Sequence, residues 1–408
     1  MPDQNSFDLV AAGAGMAARN DLTDLWSRTL LKRLARLQQG RLTLLTPKKF
    51  LLGFGAMGAE PAVSVAINHP RTARRLALGG SIACAEAYMD GDWDSPDLVG
   101  LIMLAIANEK LLGLDADGPK LMRLLERLRH GLRRNSRRGS QRNIAYHYDL
   151  GNDFYAAWLD AGMTYSSAIF ERADDDLAVA QARKYRRVGE FLEIAPGQRL
   201  LEIGCGWGGF AEFAAAAGAR VTGLTVSRAQ AAYARERMKR AGHAAEIRFE
   251  DYRDVAGSFD RIASIEMVEA VGEGHWATYF RRLRELLVPG GIAVLQAITI
   301  ADERFQAYRR APDFIQRHIF PGGMLLCPAV LRDAAARAGL RLVEGPRFGA
   351  SYARTLALWQ ERFQAAWPRI APLGFDRRFK RMWEYYLAYC EAGFRAATLD
   401  VGLYRLER

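Results

Sequence analysis

The stretch RLLEIGCGWGGF (199–210) constrains the fold of this chain more than any other. Leu200, Leu201 and Ile203 read as a short buried strand. Gly204, Gly206, Gly208 and Gly209 follow, and then an alanine-rich helix over Phe210–Ala217. A strand, a glycine turn and a helix present backbone N–H groups at a helix N-terminus, where a ligand can come close. Glycine serves there because a side chain blocks the approach or forbids the backbone angles. Gly204, Gly206 and Gly209 also satisfy G-x-G-x-x-G, so a dinucleotide site has to be weighed. Such a site expects an acidic residue about 20 positions on, for the ribose hydroxyls. The next strand, Arg220–Thr225, ends instead in Thr225.

Glu202 stands two residues before the first glycine. E-x-G-x-G-x-G is the first motif of S-adenosylmethionine (SAM) methyltransferases, which makes SAM the leading ligand over NAD or a flavin. Further strands are read at Glu246–Glu250, Arg261–Ile265 and Ile292–Ile300, with helices between them. Strands alternating with helices at this pitch imply an α/β fold, a Rossmann-like doubly wound parallel sheet. Ligands in such sheets collect beyond the carboxyl ends of the strands. Here those ends are Gly204, Thr225, Asp251, Glu266–Glu269 and Gln296–Thr299.

The 408 residues suffice for two domains. A small, mostly helical N-terminal domain is expected over 21–122, after a flexible start at 1–20. An arginine-rich linker at 123–142 and a catalytic domain over 143–408 complete the order. The net charge of +11 favours an anionic partner such as an acidic bilayer surface. Nucleic acid is disfavoured, because the arginine-rich run carries no interleaved aromatics for base stacking. Cys84, Cys205, Cys327 and Cys390 lie far apart, which suggests neither a metal site nor a disulfide framework. With no signal peptide and no spanning run, the expected place is the cytoplasm, peripheral at the inner membrane surface.

YHYDLGNDFY (146–155), MTYSSAIFER (163–172), LEIGCGWGGF (201–210), GLTVS (223–227), DYRD (251–254), IFPGG (319–323) and YCEAGFR (389–395) occur in this order. With them the chain resembles the cyclopropane fatty acid synthases, including the mycolic acid cyclopropane synthases, from about residue 60 to its end. MDGDWDSPDL (89–98) resembles the N-terminal domain of the longer bacterial members. The resemblance implies a SAM-dependent C-methyltransferase that transfers a one-carbon unit to a cis double bond of an acyl chain, usually within a membrane phospholipid. Strand ends and resemblance together assign Tyr165 and Ser166 to the methionine carboxylate, and Gly204 and Gly206 to close backbone approach. Thr225 and Gln230 fall to the ribose, Asp251 and Tyr252 to the adenine, and Trp207 to the same cleft.

The resemblance also implies a bicarbonate ion as base, held by a Cys, a Glu, a His, a Tyr and a backbone group. The Glu falls on Glu269, the Tyr on Tyr352 and the backbone group on Ile298. The Cys position is Ser167, the His position is Gln296, and Glu266 stands where the family commonly has a small residue. Two readings follow. In one, Ser167, Gln296, Glu269 and Tyr352 hold an anion by neutral hydrogen bonds and a cyclopropane ring forms. In the other no bicarbonate binds, and Glu266 or Glu269 is the base. Two buried carboxylates close together raise one pKa, which suits a base near pH 7, and proton loss from another carbon gives a methyl- or methylene-branched chain. The paired change plus Glu266 favours the second. Other classes weighed are a C-methyltransferase on a soluble alkene such as a terpenoid, a nucleic-acid methyltransferase, and a non-enzymatic lipid binder. Self-association as a homo-oligomer stays open.

Overall fold

A computed structural model describes residues 24–56, 58–112 and 150–408. The expected flexible start, the arginine-rich linker and the opening of the YHYDLGNDFY stretch lie outside these residues. Contacts divide the described chain into two units.

The first unit contains residues 24–112, 310–314 and 374–396. Its sheet has the order β2-β1-β3-β4, built from β1 (Arg41–Leu45), β2 (Leu51–Gly55), β3 (Ala62–Ile67) and β4 (Trp93–Asp94). Leu42 and Leu44 are buried while their neighbours are less so, the period-2 pattern of a strand with one covered face. The helices expected from the sequence therefore share this unit with a sheet. Asp24 caps the helix Leu25–Leu34 through its carboxylate, and Asp97 caps Leu98–Ala107 in the same way. The helix Arg377–Arg395 belongs here too, although the sequence assigned the C-terminal helices to the catalytic domain. Its Arg381 explains the attachment. The guanidinium lies 3.8 Å over the Tyr88 ring, donates to Trp93 O at 2.8 Å and pairs with Asp94 at 2.6 Å. A buried cation is tolerated only with such partners.

The second unit holds a seven-stranded sheet of order β10-β11-β9-β8-β5-β6-β7. Its strands are β5 (Arg199–Ile203), β6 (Arg220–Thr225), β7 (Glu246–Phe249), β8 (Phe259–Ile265), β9 (Leu287–Ile300), β10 (Arg341–Arg347) and β11 (Leu399–Glu407). The five strands β9-β8-β5-β6-β7 run parallel, and β11 and β10 add an antiparallel edge. Leu200, Leu201, Glu202 and Ile203 are all buried, as befits a central strand covered on both faces. From β5 the chain steps outward through β6 and β7, then returns to β8 on the other side. The strand order thus reverses between β5 and β8, the crevice where open α/β sheets bind ligands.

Two local expectations change. Pro289-Gly290-Gly291, expected to close a helix, lies inside β9 as an irregularity, where Phe259 pairs with Leu287 but Arg261 pairs with Ile292. Two helices were expected over 143–172, yet the described part holds only the short helix Asn152–Ala156. Distant or local side chains satisfy the following backbone instead. Gly162 and Thr164 donate to Asp160, Ala168 to Thr355, and Phe170 to Ser351.

Candidate active site

The glycine loop leaves β5 with Gly204 at φ 83° and Gly206 at φ 51°. A Cβ on Gly204 would lie 2.8 Å from Met267 Cγ, whereas one on Gly206 would enter open space. The first glycine is therefore fixed by packing and backbone together, and the second leaves room for a ligand against the loop. Trp207 is buried beside them, donates from Nε1 to Asn152 Oδ1 at 2.8 Å, and lies 5.0 Å from the Tyr155 ring.

At the end of β6, Thr225 Oγ1 donates to Gln230 Oε1 at 2.9 Å and accepts from Ser227 N. The two expected ribose ligands are thus already joined. Past β7, the Asp251 carboxylate takes Arg253 N and Nε on one oxygen and Nη2 on the other. Sequence reasoning missed Arg253 as the residue that orients this carboxylate. The Tyr252 ring meets Tyr279 edge-on at 5.4 Å, and burial pushes its hydroxyl up to about 12. The Tyr165 ring lies 5.3–5.7 Å from the rings of Tyr155, Trp158 and Trp359, a wall of aromatic faces.

Glu266 follows β8 directly and, at φ 49°, is a rare non-glycine residue in the left-handed region. Its amide donates to Gln296 O at 2.8 Å. Its Oε1 accepts from Ser167 N at 2.8 Å and from Gln296 Nε2 at 2.7 Å, and its Oε2 accepts from the Tyr352 hydroxyl at 2.6 Å. Ser167, Gln296 and Tyr352, which the sequence scattered over 167–352, therefore meet around the one carboxylate of Glu266. One role shifts: the Ser167 hydroxyl donates to Ala168 O at 2.9 Å, so its backbone N–H, not its side chain, faces the anion. Glu269 accepts from Ile298 N at 2.6 Å on Oε1, while its buried Oε2 has no hydrogen-bond partner among the described residues.

The two carboxyl groups differ in support. Burial raises both, and the Glu266 charge pushes Glu269 further, to about 8. Hydrogen bonds to a charged group contribute about 1.5–3 kcal/mol each. Among the described residues Glu266 receives three and Glu269 one, so the charged form of Glu266 is the better supported of the two. A separate small anion would have to share the donors Ser167 N, Gln296 Nε2 and Tyr352 Oη, which Glu266 already engages. The residues present do not fit bicarbonate.

Sequence reasoning also missed Lys184. It is fully buried and donates to Ser166 Oγ at 2.6 Å. Burial lowers it to about 8 against the pull of Glu266, Asp160 and Glu202. Its signal was present, since Leu177, Ala180, Gln181, Lys184 and Val188 share one helix face.

The sequence profile of mycolic acid cyclopropane synthetase matches residues 135–403. The chain belongs to this family. A tuberculostearic acid methyltransferase of Mycobacterium tuberculosis is 41% identical over 373 residues, which is 87% of this chain and 86% of that one. The cyclopropane-fatty-acyl-phospholipid synthase of Escherichia coli K12 is 36% identical over 359 residues, 86% of this chain and 88% of that one. Among solved structures, a mycolic acid cyclopropane synthase complexed with SAH and CTAB superposes with TM-score 0.62 at 28% identity, covering 66% of this chain and 98% of that one. This member of the cyclopropane synthetase family thus carries the Rossmann-like methyltransferase sheet with a carboxylate at the end of its fourth parallel strand.

Proposed function

We propose that the protein transfers a one-carbon unit from SAM to the cis double bond of an unsaturated acyl chain in a membrane phospholipid, and that the product is a methyl- or methylene-branched chain rather than a ring. The observation that carries the reading is the Glu266 carboxylate seated on Ser167 N, Gln296 Nε2 and Tyr352 Oη. When bound, SAM supplies an electrophilic sulfonium methyl. Gly204 and Gly206 let the nucleoside approach the backbone, with Thr225 and Gln230 at the ribose and Asp251 and Tyr252 at the adenine. Tyr165 and Ser166 take the methionine carboxylate.

Attack by the alkene forms one C–C bond as the S–CH3 bond breaks, and leaves positive charge on the neighbouring acyl carbon. The rings of Tyr155, Trp158, Tyr165 and Trp359 shield that charge from water and face it with π density. Ionised Glu266 then takes a proton from the chain. Loss of a methyl proton from this cation closes a ring, and loss of the proton on the methyl-bearing carbon gives a methyl-branched alkene. A 1,2-hydride shift onto the cationic carbon followed by loss of a methyl proton gives the methylene. Each route adds CH2 net, so the three products are isomers. A base fixed by Tyr352 and Gln296 removes only a proton within its own reach, and a hydride shift before that removal decides for the methylene over the ring.

The names of the relatives support acyl substrates, as does a solved neighbour complexed with both SAH and CTAB, a detergent with a long alkyl chain. Access from an anionic bilayer surface fits the net charge of +11. No helix among the described residues is long and apolar enough to cross a membrane. The test is expression in a bacterial host lacking its own acyl-modifying enzyme, followed by fatty-acid analysis. Branched or methylene acyl chains support the reading. Cyclopropane chains alone, or no modified chain, contradict it.

A further inference from the structure

The helix Leu177–Leu192 grips Ser166 twice. Gln181 Nε2 donates to Ser166 O at 2.9 Å, and Lys184 Nζ donates to Ser166 Oγ at 2.6 Å. That second bond is unusual. A fully buried ammonium normally finds a carboxylate, because an uncompensated charge in the interior is expensive. The carboxylates whose charges act on Lys184 are Glu266, Asp160 and Glu202, yet none lies within ion-pair distance among the described residues. The hydroxyl of Ser166 is its one hydrogen-bond partner there, and the Tyr185 ring, 4.6 Å from Nζ, is its other stabilising contact.

We propose that Lys184 is a positioning residue for the carboxylate end of the cosubstrate, acting through Ser166. An ammonium has only protons to give, so the Ser166 oxygen must accept. The hydroxyl proton is thereby turned away from Lys184, and among the described residues it meets no acceptor. A hydroxyl held as an outward donor, with a buried positive charge behind it, matches an anionic carboxylate and rejects a neutral group. The inference rests on the proposed placement of the methionine carboxylate at Ser166. It adds a charged residue that the ligand does not touch. The lowered proton affinity of Lys184 agrees with this, since a ligand carboxylate would return the charge compensation that burial removes.

The test compares two probes by equilibrium binding. S-adenosylhomocysteine carries the amino acid carboxylate. 5′-Methylthioadenosine keeps the nucleoside and thioether but lacks it. Lys184→Met is expected to weaken S-adenosylhomocysteine at least tenfold and methylthioadenosine less than twofold. Lys184→Gln gives the same pattern and covers the case in which the methionine variant does not fold. The double variant Ser166→Ala, Lys184→Met is expected to bind S-adenosylhomocysteine no more weakly than Ser166→Ala alone, because both substitutions break one relay. Equal loss for both probes, or no loss for either, overturns the proposal. Failure of the unaltered protein to bind S-adenosylhomocysteine would instead overturn the cosubstrate assignment itself, and Ser166→Ala with full affinity would remove the serine from it.

Discussion

Replacing Glu266 by glycine isolates what its carboxylate does. The substitution removes an acceptor that satisfies Ser167 N, Gln296 Nε2 and Tyr352 Oη, all at 2.6–2.8 Å. Each buried donor left alone costs about 1–3 kcal/mol, so three amount to roughly 3–9 kcal/mol before relaxation or water entry. Relief of the left-handed backbone at φ 49° returns only about 1–2 kcal/mol. The variant is therefore less stable and holds a carboxylate-sized space lined by three donors. Loss of a positioned base slows turnover by about 10²–10⁴-fold. A small anion can now enter. A site with millimolar affinity stabilises its occupant by only about 4 kcal/mol, which lies within what these donors can supply. Glu266→Gly is thus expected to be nearly inactive in anion-free buffer. Bicarbonate or formate at tens of millimolar, roughly ten times such a dissociation constant, is expected to raise its rate at least tenfold while leaving the unaltered enzyme unmoved. The assay follows S-adenosylhomocysteine release with cis-monounsaturated phospholipid vesicles. Near-normal turnover of the variant without anion, or bicarbonate activation of the unaltered enzyme, would refute the reasoning.

Other perturbations have defined signs. After burial, the Tyr352 hydrogen bond is the largest influence on Glu266 and holds its pKa down. Tyr352→Phe is therefore expected to move the acid limb of the kcat–pH profile to higher pH, and an unmoved limb would remove Glu266 as the titrating base. Glu269 rises from 4.5 to about 8 on folding, so the folded state binds its proton more tightly than the unfolded chain does. That stability is fully present below pH 4.5 and is lost as pH rises toward about 8. Glu269→Gln should accordingly flatten the fall in urea-unfolding stability between those limits, and an unchanged slope would contradict a buried, protonated Glu269. Gly204→Ala must hold φ 83° with its Cβ 2.8 Å from Met267 Cγ, and is expected to destabilise by about 1–3 kcal/mol in the same assay.

The sheet was legible because its signals are local. The apolar run of β5, the glycines after it and the strand ends at Thr225, Asp251 and Glu266 needed only neighbouring residues. The helix over Arg228–Ala241 carries a local signal too, its capping serine Ser227. The stretch 157–176 was not, because distant side chains hold its backbone. Thr355 and Ser351 are far away in the chain, and no helical period records them. The same holds for the site. Glu266 was conspicuous as an acid at a strand end, but its three donors come from residues 167, 296 and 352, which only the fold brings together. Ser167 was noticed for its hydroxyl, whereas its contribution is a backbone N–H, which every residue but proline carries. Lys184 went unremarked because a lysine in an arginine-rich helix reads as solvated, and only the face it shares with Leu177 and Val188 says otherwise. Arg377–Arg395 went to the wrong unit because an amphipathic helix shows that it has an apolar face, not which apolar surface it meets.

The most direct measurement is the product itself. Purified protein, SAM labelled in its methyl group and cis-monounsaturated phospholipid vesicles are incubated with bicarbonate removed, and the acyl chains are read by NMR. Because the isomers share one mass, the labelled carbon must be located by its chemical shift. A label in an olefinic methylene or a branch methyl, formed at a rate indifferent to bicarbonate, is the result expected if Glu266 takes the proton. A cyclopropane carbon formed at a bicarbonate-dependent rate would contradict it.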